Sequence, residues 1–412
     1  MMKTTLKLFC LAAITTAAVN LASCSEEKLG DSIFDPTEYP LDQTAYTFPL
    51  DTFVKKNFLE PYNLRYLYRM QDIGSDMNYN LVPCSYDQSV TLAVLCKYLW
   101  YDVYEKHVGT TFLKTYSPRI IHVIGSPAYN PTQGTMVLGT AEGGLKITLY
   151  NAEHLSPTDI DYMNEFFFKT MHHEFAHILN QRYNRPTDFD LISNGKYNAI
   201  DWNNTPDSVA LSQGFVSNYG SSQAREDWVE VIANYIVKDT ITWRNMLNTA
   251  AWEWETADDV KCSHWDKINR QVLQGKANRD SVGYMLEVSS YSNGNPETYK
   301  VQRKLIQRDS LGYAIPGVNG EIQYLSTSGV DGRATILQKL GYVKDWLKEY
   351  FGYELDSIRM EVQRRQWLTD ENGNFIFDEN GQFINNLIYV RPDGTSLLDE
   401  LRDEVERYRR KQ

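Results

Sequence analysis

The chain has 412 residues and a formal net charge of −12, with 41 Lys and Arg against 53 Asp and Glu. That sign argues against nucleic acid as a partner, because phosphate binding needs a basic surface. Aromatic residues are 13 % of the chain and include 28 Tyr, enough apolar mass for a sizeable core.

Lys3 and Lys7 precede a short apolar run from Leu8 to Val19, too short for a membrane span. It ends in Leu21-Ala22-Ser23-Cys24, which resembles a bacterial lipobox cut before the cysteine. Residues 1–23 are therefore expected to be a lipoprotein signal peptide, with Cys24 lipidated. An ordinary secretory peptide cut near the same place is the alternative. Ser25-Glu26-Glu27 resembles the acidic sorting signal of surface lipoproteins. Those residues imply an outer-membrane lipoprotein exposed at the cell surface, held to the membrane through its lipid anchor. Residues 24–45, acidic and carrying Pro36 and Pro40, read as a tether.

An apolar pattern from Thr52 to Met70 (Phe53, Phe58, Leu64, Leu67) predicts packed structure. Gln88 to His107 reads as a helix burying Val90, Leu92, Val94, Leu95, Leu99 and Trp100. Strands are expected at 119–125, 135–139 and 145–150, the last with Leu145, Ile147 and Leu149 on one face. Ser156-Pro157-Thr158-Asp159 reads as a helix start, with Ser156 as N-cap and Pro157 at the first helical position. The apolar run after it continues through Met171 to Leu179, and Pro186 marks its stop.

Within that helix, His173-Glu174-Phe175-Ala176-His177 is an H-E-x-x-H motif. One helical turn separates the two histidines, so both imidazoles can reach one Zn²⁺ with Glu174 beside its open position. Two neutral ligands leave the ion's charge free to acidify a water, and a carboxylate that is not a ligand can take the proton. Only seven His occur in the chain, and three of them stand at 172, 173 and 177. His172 points off the ligand face and reads as structural. A second helix, capped by Ser221 or Ser222 and running to about Lys238, places Glu226 and Glu230 on one face.

Here the chain resembles the gluzincin metallopeptidases. The resemblance implies Glu226 as the third zinc ligand and Glu230 as the acid behind it that orients a ligand histidine. In the lethal-factor-type toxin peptidases, which it also resembles, a Tyr seven residues before the ligand Glu lies close to the metal. Tyr219 stands at that spacing and is implied as a catalytic group. Asp227, elsewhere on the helix, is kept as the alternative ligand. The order of strands, motif helix and glutamate helix is that of a zincin catalytic domain, an α+β fold with a small twisted sheet, here expected over residues 46–270. In that fold the edge strand before the active-site helix pairs with an extended substrate, and 145–150 is the candidate. Together with the lipobox, these features resemble the substrate import-associated zinc metallohydrolase lipoproteins. That resemblance implies a zinc-dependent peptidase acting on peptide or protein beside a TonB-dependent importer. The alternative is a non-catalytic binding partner of such an importer.

Past Thr240 no chemistry is legible. Trp243 to Lys276 is read as helical, 278–332 as polar and loosely folded, and Arg333 to Phe351 as helical. A near-repeat, Asp370-Glu371-Asn372-Gly373 and Asp378-Glu379-Asn380-Gly381, predicts paired turns, which lack the ligand spacing of a calcium loop. Leu397 to Lys411 reads as a charged helix. Residues 271–412 are thus expected to be a mainly helical extension. Cys84, Cys96 and Cys262 are expected to be buried thiols with at most one bridge.

Overall fold

Apolar segments at 120–123 and 146–149 build a small sheet beneath the motif helix. The computed structural model describes residues 41–70, 79–130, 135–137, 139–142, 145–262, 284–292, 295–307, 315–321 and 323–409. The leader, Cys24, the tether to residue 40 and the stretch 263–276 lie outside the described residues. Among the described residues no helix is long and apolar enough to cross a membrane.

In chain order the strands are β1 (Arg65–Leu67), β2 (Ile120–Val123), β3 (Ala128–Asn130), β4 (Thr135–Val137), β5 (Gly139–Glu142) and β6 (Lys146–Leu149). The main sheet has the order β1-β2-β6-β5. The first three run parallel, and β5 is antiparallel to β6. This mixture of helices around a small, largely parallel sheet is the α+β class expected. The strand at 145–150 is not an edge, however. β6 is paired on both sides, and among the described residues the outermost strand beyond it is β5. Nor does β6 alternate between core and water. Thr148 is as buried as Ile147 and Leu149, while Leu145 is exposed. Parallel sheets are covered on both faces, and such coverage erases the period-two signal.

Ser85 caps the helix Tyr86–Cys96, which continues through a π-helical turn (Lys97–Tyr101) into Asp102–Tyr116. Every apolar residue predicted to be buried there is buried. Asp159, not Ser156, caps the motif helix, accepting a hydrogen bond from the Tyr162 backbone N–H. A single turn (Ile160–Met163) and a π-helical turn (Asn164–Phe168) lead into Lys169–Arg182, which carries the motif. The extra residue of a π turn rotates the helix beyond it, and Phe166, Phe167 and Phe168 are all buried around that turn. A Cβ at Gly139 would lie 2.3 Å from Thr170 Cγ2, so only glycine lets β5 approach the motif helix this closely.

The glutamate helix spans Ala224–Val237 and starts at Gln223, one residue after the serine expected to cap it. Beyond it, Thr240–Ala250 is helical, but Trp254 onward is a strand. β7 (Trp254–Cys262), β8 (Tyr284–Ser292) and β9 (Asn295–Lys304) form an antiparallel sheet in the order β7-β9-β8 where helix and loose chain were expected. The helix Gly332–Phe351 is as predicted, and a further one, Leu355–Gln366, was not read from the sequence. Both pack into the core that holds the motif helix. Trp346 meets Trp228 edge to face at 5.2 Å, and Gln363 donates to the carbonyls of Ile236 and Val237 at the end of the glutamate helix. The boundary expected at residue 270 itself lies outside the described residues.

The two Asn-Gly turns form as predicted. Asp370 Oδ1 accepts from the Asn372 and Asn374 backbones, and Asp378 Oδ1 from those of Asn380 and Gln382, so these carboxylates close their own turns. The last helix, Leu397–Glu406, opens on a Ser396/Asp399 capping box. Cys84 and Cys96 are free and buried. The side chain of Cys262 lies outside the described residues.

Candidate metal centre

The motif helix and the glutamate helix pack side by side, and the turn Tyr219–Ser221 closes one end of the space between them. His173 Nε2 lies 3.2 Å from Glu226 Oε2, and His177 Nε2 lies 3.1 Å from the same oxygen. All three ligand atoms fall within 4.8 Å of one another. Neighbouring ligands on a tetrahedral zinc with bonds of about 2.0–2.1 Å stand about 3.3 Å apart. Two nitrogens and one carboxylate oxygen are also the donor set of catalytic zinc, which keeps a fourth position for water. The residues fit the metal.

Electrostatics agree with geometry. Burial disfavours a charged His173, yet hydrogen bonds to Glu226 and Glu230 outweigh it and push the imidazole pKa up to about 10. Carboxylates that attract a proton to this spot attract a cation equally. Burial likewise opposes ionisation of Glu226, but the two histidines hold its carboxyl well below the usual range.

Glu230 is placed behind His173. Its Oε1 is 2.7 Å from Nδ1, fixing the ring so that Nε2 faces Glu226. Its Oε2 accepts from Ser217 Oγ at 2.5 Å and Asn234 Nδ2 at 3.1 Å. Burial again opposes ionisation, but the Lys169 charge and the bond to His173 lower the Glu230 carboxyl to about 2.

Glu174 has the opposite balance. Burial raises its pKa above the ordinary carboxylate value, against the pull of both histidines, and it is hydrogen-bonded to neither. Tyr219 packs its ring 5.7 Å from that of His173 and is backed by Trp202 at 4.8 Å. Burial, then the charges of Glu226, Glu230 and Glu174, raise its phenol far above the usual value, so the hydroxyl stays protonated.

Asp227, the alternative ligand, and His172, read as structural, both make contacts of their own. Asp227 faces away from the centre and forms a fully buried ion pair with Lys339 at 2.6 Å, with Tyr197 donating to it at 3.0 Å. It is no ligand. His172 is buried against Tyr104, 3.1 Å from Nδ1 to the hydroxyl, and takes the structural place expected of it.

Sequence reasoning missed Lys339, Ser217, Asn234 and Arg225. Lys339 is 112 positions from its partner Asp227, a separation no periodicity reveals. Its Nζ also donates to the Gly214 carbonyl at 2.7 Å and sits 4.1 Å from the centre of the Phe215 ring. Asp227→Ala strands this ammonium in the core. It is expected to lower the unfolding free energy by about 3–5 kcal/mol in urea denaturation. A loss under about 1 kcal/mol would show that the pair does not tie the C-terminal helices to the glutamate helix.

The matches to known proteins point the same way. The family described as "Putative zinc-binding metallo-peptidase" matches residues 43–356. A crystal structure of a "putative zinc-binding metallo-peptidase" from Bacteroides caccae ATCC 43185 is 31% identical, with a TM-score of 0.52. The match covers 77% of this chain and 91% of that one. No curated protein matches. With more than half its length matched and a two-histidine, one-carboxylate centre in place, the chain belongs to this family of zinc-binding metallo-peptidases.

Proposed function

We propose that the protein is a zinc peptidase of the zincin type, in which His173, His177 and Glu226 hold the metal and Glu174 is the general base. The observation that carries this reading is the convergence of Nε2 of both histidines on one oxygen of Glu226, with an uncommitted carboxylate, Glu174, beside them. Held by His173, His177 and Glu226, zinc would supply the Lewis acidity that lowers the pKa of a water and polarises the scissile carbonyl. Glu174 accepts the proton of the attacking water and returns it to the leaving amine, a task its raised pKa suits. Tyr219, held protonated, donates to the carbonyl oxygen as negative charge develops there. Glu230 keeps His173 in the tautomer that leaves Nε2 free.

β5, outermost in the sheet among the described residues, is the natural place for an extended peptide backbone to pair, in the role first given to 145–150. A broad peptide-library digestion tests the activity. Cleavage that a chelator stops and added zinc restores supports the reading, and an undigested library with zinc bound would favour a peptide-binding partner of an importer.

Cleavage at the cell surface in support of nutrient import, through a lipid on Cys24, completes the proposal. Cys24→Ala is expected to move the protein from the membrane to the soluble fraction, because it removes the lipid and no helix among the described residues is long and apolar enough to cross a membrane. Membrane association unchanged in that variant would point to a partner complex or an uncleaved leader.

A further inference from the structure

We infer that Arg225 is a positioning residue that restricts Glu226 to one-oxygen ligation of the metal, an inference that rests on Glu226 being the third ligand. The two oxygens of that carboxylate are used differently. Oε2 faces both histidine Nε2 atoms at 3.1–3.2 Å. Oε1 accepts from Arg225 Nε at 3.1 Å and from Gln223 Nε2 at 3.5 Å, and it lies 3.0 Å from the charged Nη2 of Arg225.

A carboxylate can bind zinc through one oxygen or two, and a second oxygen would crowd the position that water must occupy. Charge-assisted donation to Oε1 occupies its lone pairs and turns it from the metal. The Glu226 side chain is 3% exposed and that of Arg225 61%, so the guanidinium lies over the ligand at the solvent boundary. An exposed charge is screened, so the directional Nε–H donation, rather than the positive charge alone, must do the positioning. The neighbouring acid does not compete for Arg225, because Asp227 is committed to Lys339.

Co²⁺ loaded into the full-length protein reports coordination number through its visible absorption, independently of turnover. The wild type is expected to show the intense bands of a four-coordinate ion. Arg225→Ala should show the weaker, shifted bands of a five-coordinate ion. Arg225→Lys, which keeps the charge and loses the Nε–H donor, should resemble Arg225→Ala. Zinc-loaded turnover should fall about 10- to 100-fold in both. A wild-type spectrum in Arg225→Ala, or full spectral rescue in Arg225→Lys, would overturn the inference. Glu226→Ala separates the two claims. If it takes up Co²⁺ with a wild-type spectrum, Glu226 is no ligand and the proposed metal assignment fails as well.

Discussion

Glu174→Gln is expected to bind about one equivalent of zinc and to lose peptide hydrolysis by at least roughly 10²–10⁴-fold. The substitution is nearly isosteric and touches no ligand atom. Glu174 makes no hydrogen bond to either histidine, and His173 remains fixed by Glu230 at 2.7 Å. What the amide cannot do is accept a proton. Burial lifts the Glu174 pKa toward the range where a carboxylate both takes a proton from water and gives it up again, which is the balance a general base needs. Metal content by mass spectrometry and turnover on one cleaved peptide, measured on the same preparation, check both halves. Substantial turnover with full zinc would assign the base elsewhere.

Glu226→Ala and Glu230→Ala should separate by kind of loss. Without Glu226 only two protein ligands remain, so zinc and activity should go together. Without Glu230, His173 keeps Nε2 but loses the bond that orients its ring, and zinc affinity should weaken by about 10- to 100-fold. Ser217 would then lose its acceptor, while Asn234 keeps the Glu230 backbone carbonyl, a local penalty that does not reach His177. Titration against a competing zinc indicator distinguishes the two. Equal losses in both variants would mean that the two glutamates share the metal. Full zinc retention in Glu226→Ala would remove the assignment of the third ligand, and that of Tyr219 with it.

Legibility in the sequence tracked the range of the interactions. The motif helix and glutamate helix could be read because His173/His177 and Glu226/Glu230 are set by a four-residue spacing within one helix. The meeting of the two helices could not. It rests on contacts such as His177 to Glu226, 49 positions apart, for which the sequence offered only resemblance. Helix starts slipped where several capping residues competed, as at Ser156 and Asp159, because only the folded backbone decides which side chain reaches an N–H. The β7–β9 sheet was missed because its polar strands show no clean alternation, and the run from Trp243 to Lys276 reads as helix although β7 begins at Trp254. The second layer around the metal had no signature at all. Arg225 and Ser217 are ordinary surface types by sequence, and their roles appear only when Glu226 and Glu230 turn toward them.

Anomalous diffraction at the zinc edge from zinc-loaded crystals tests the metal centre most directly. A single strong peak within about 2.0–2.2 Å of His173 Nε2, His177 Nε2 and Glu226 Oε2, with no fourth protein ligand, is the expected result. A peak elsewhere, or one at this place closed by a fourth side chain, would contradict a catalytic zinc site.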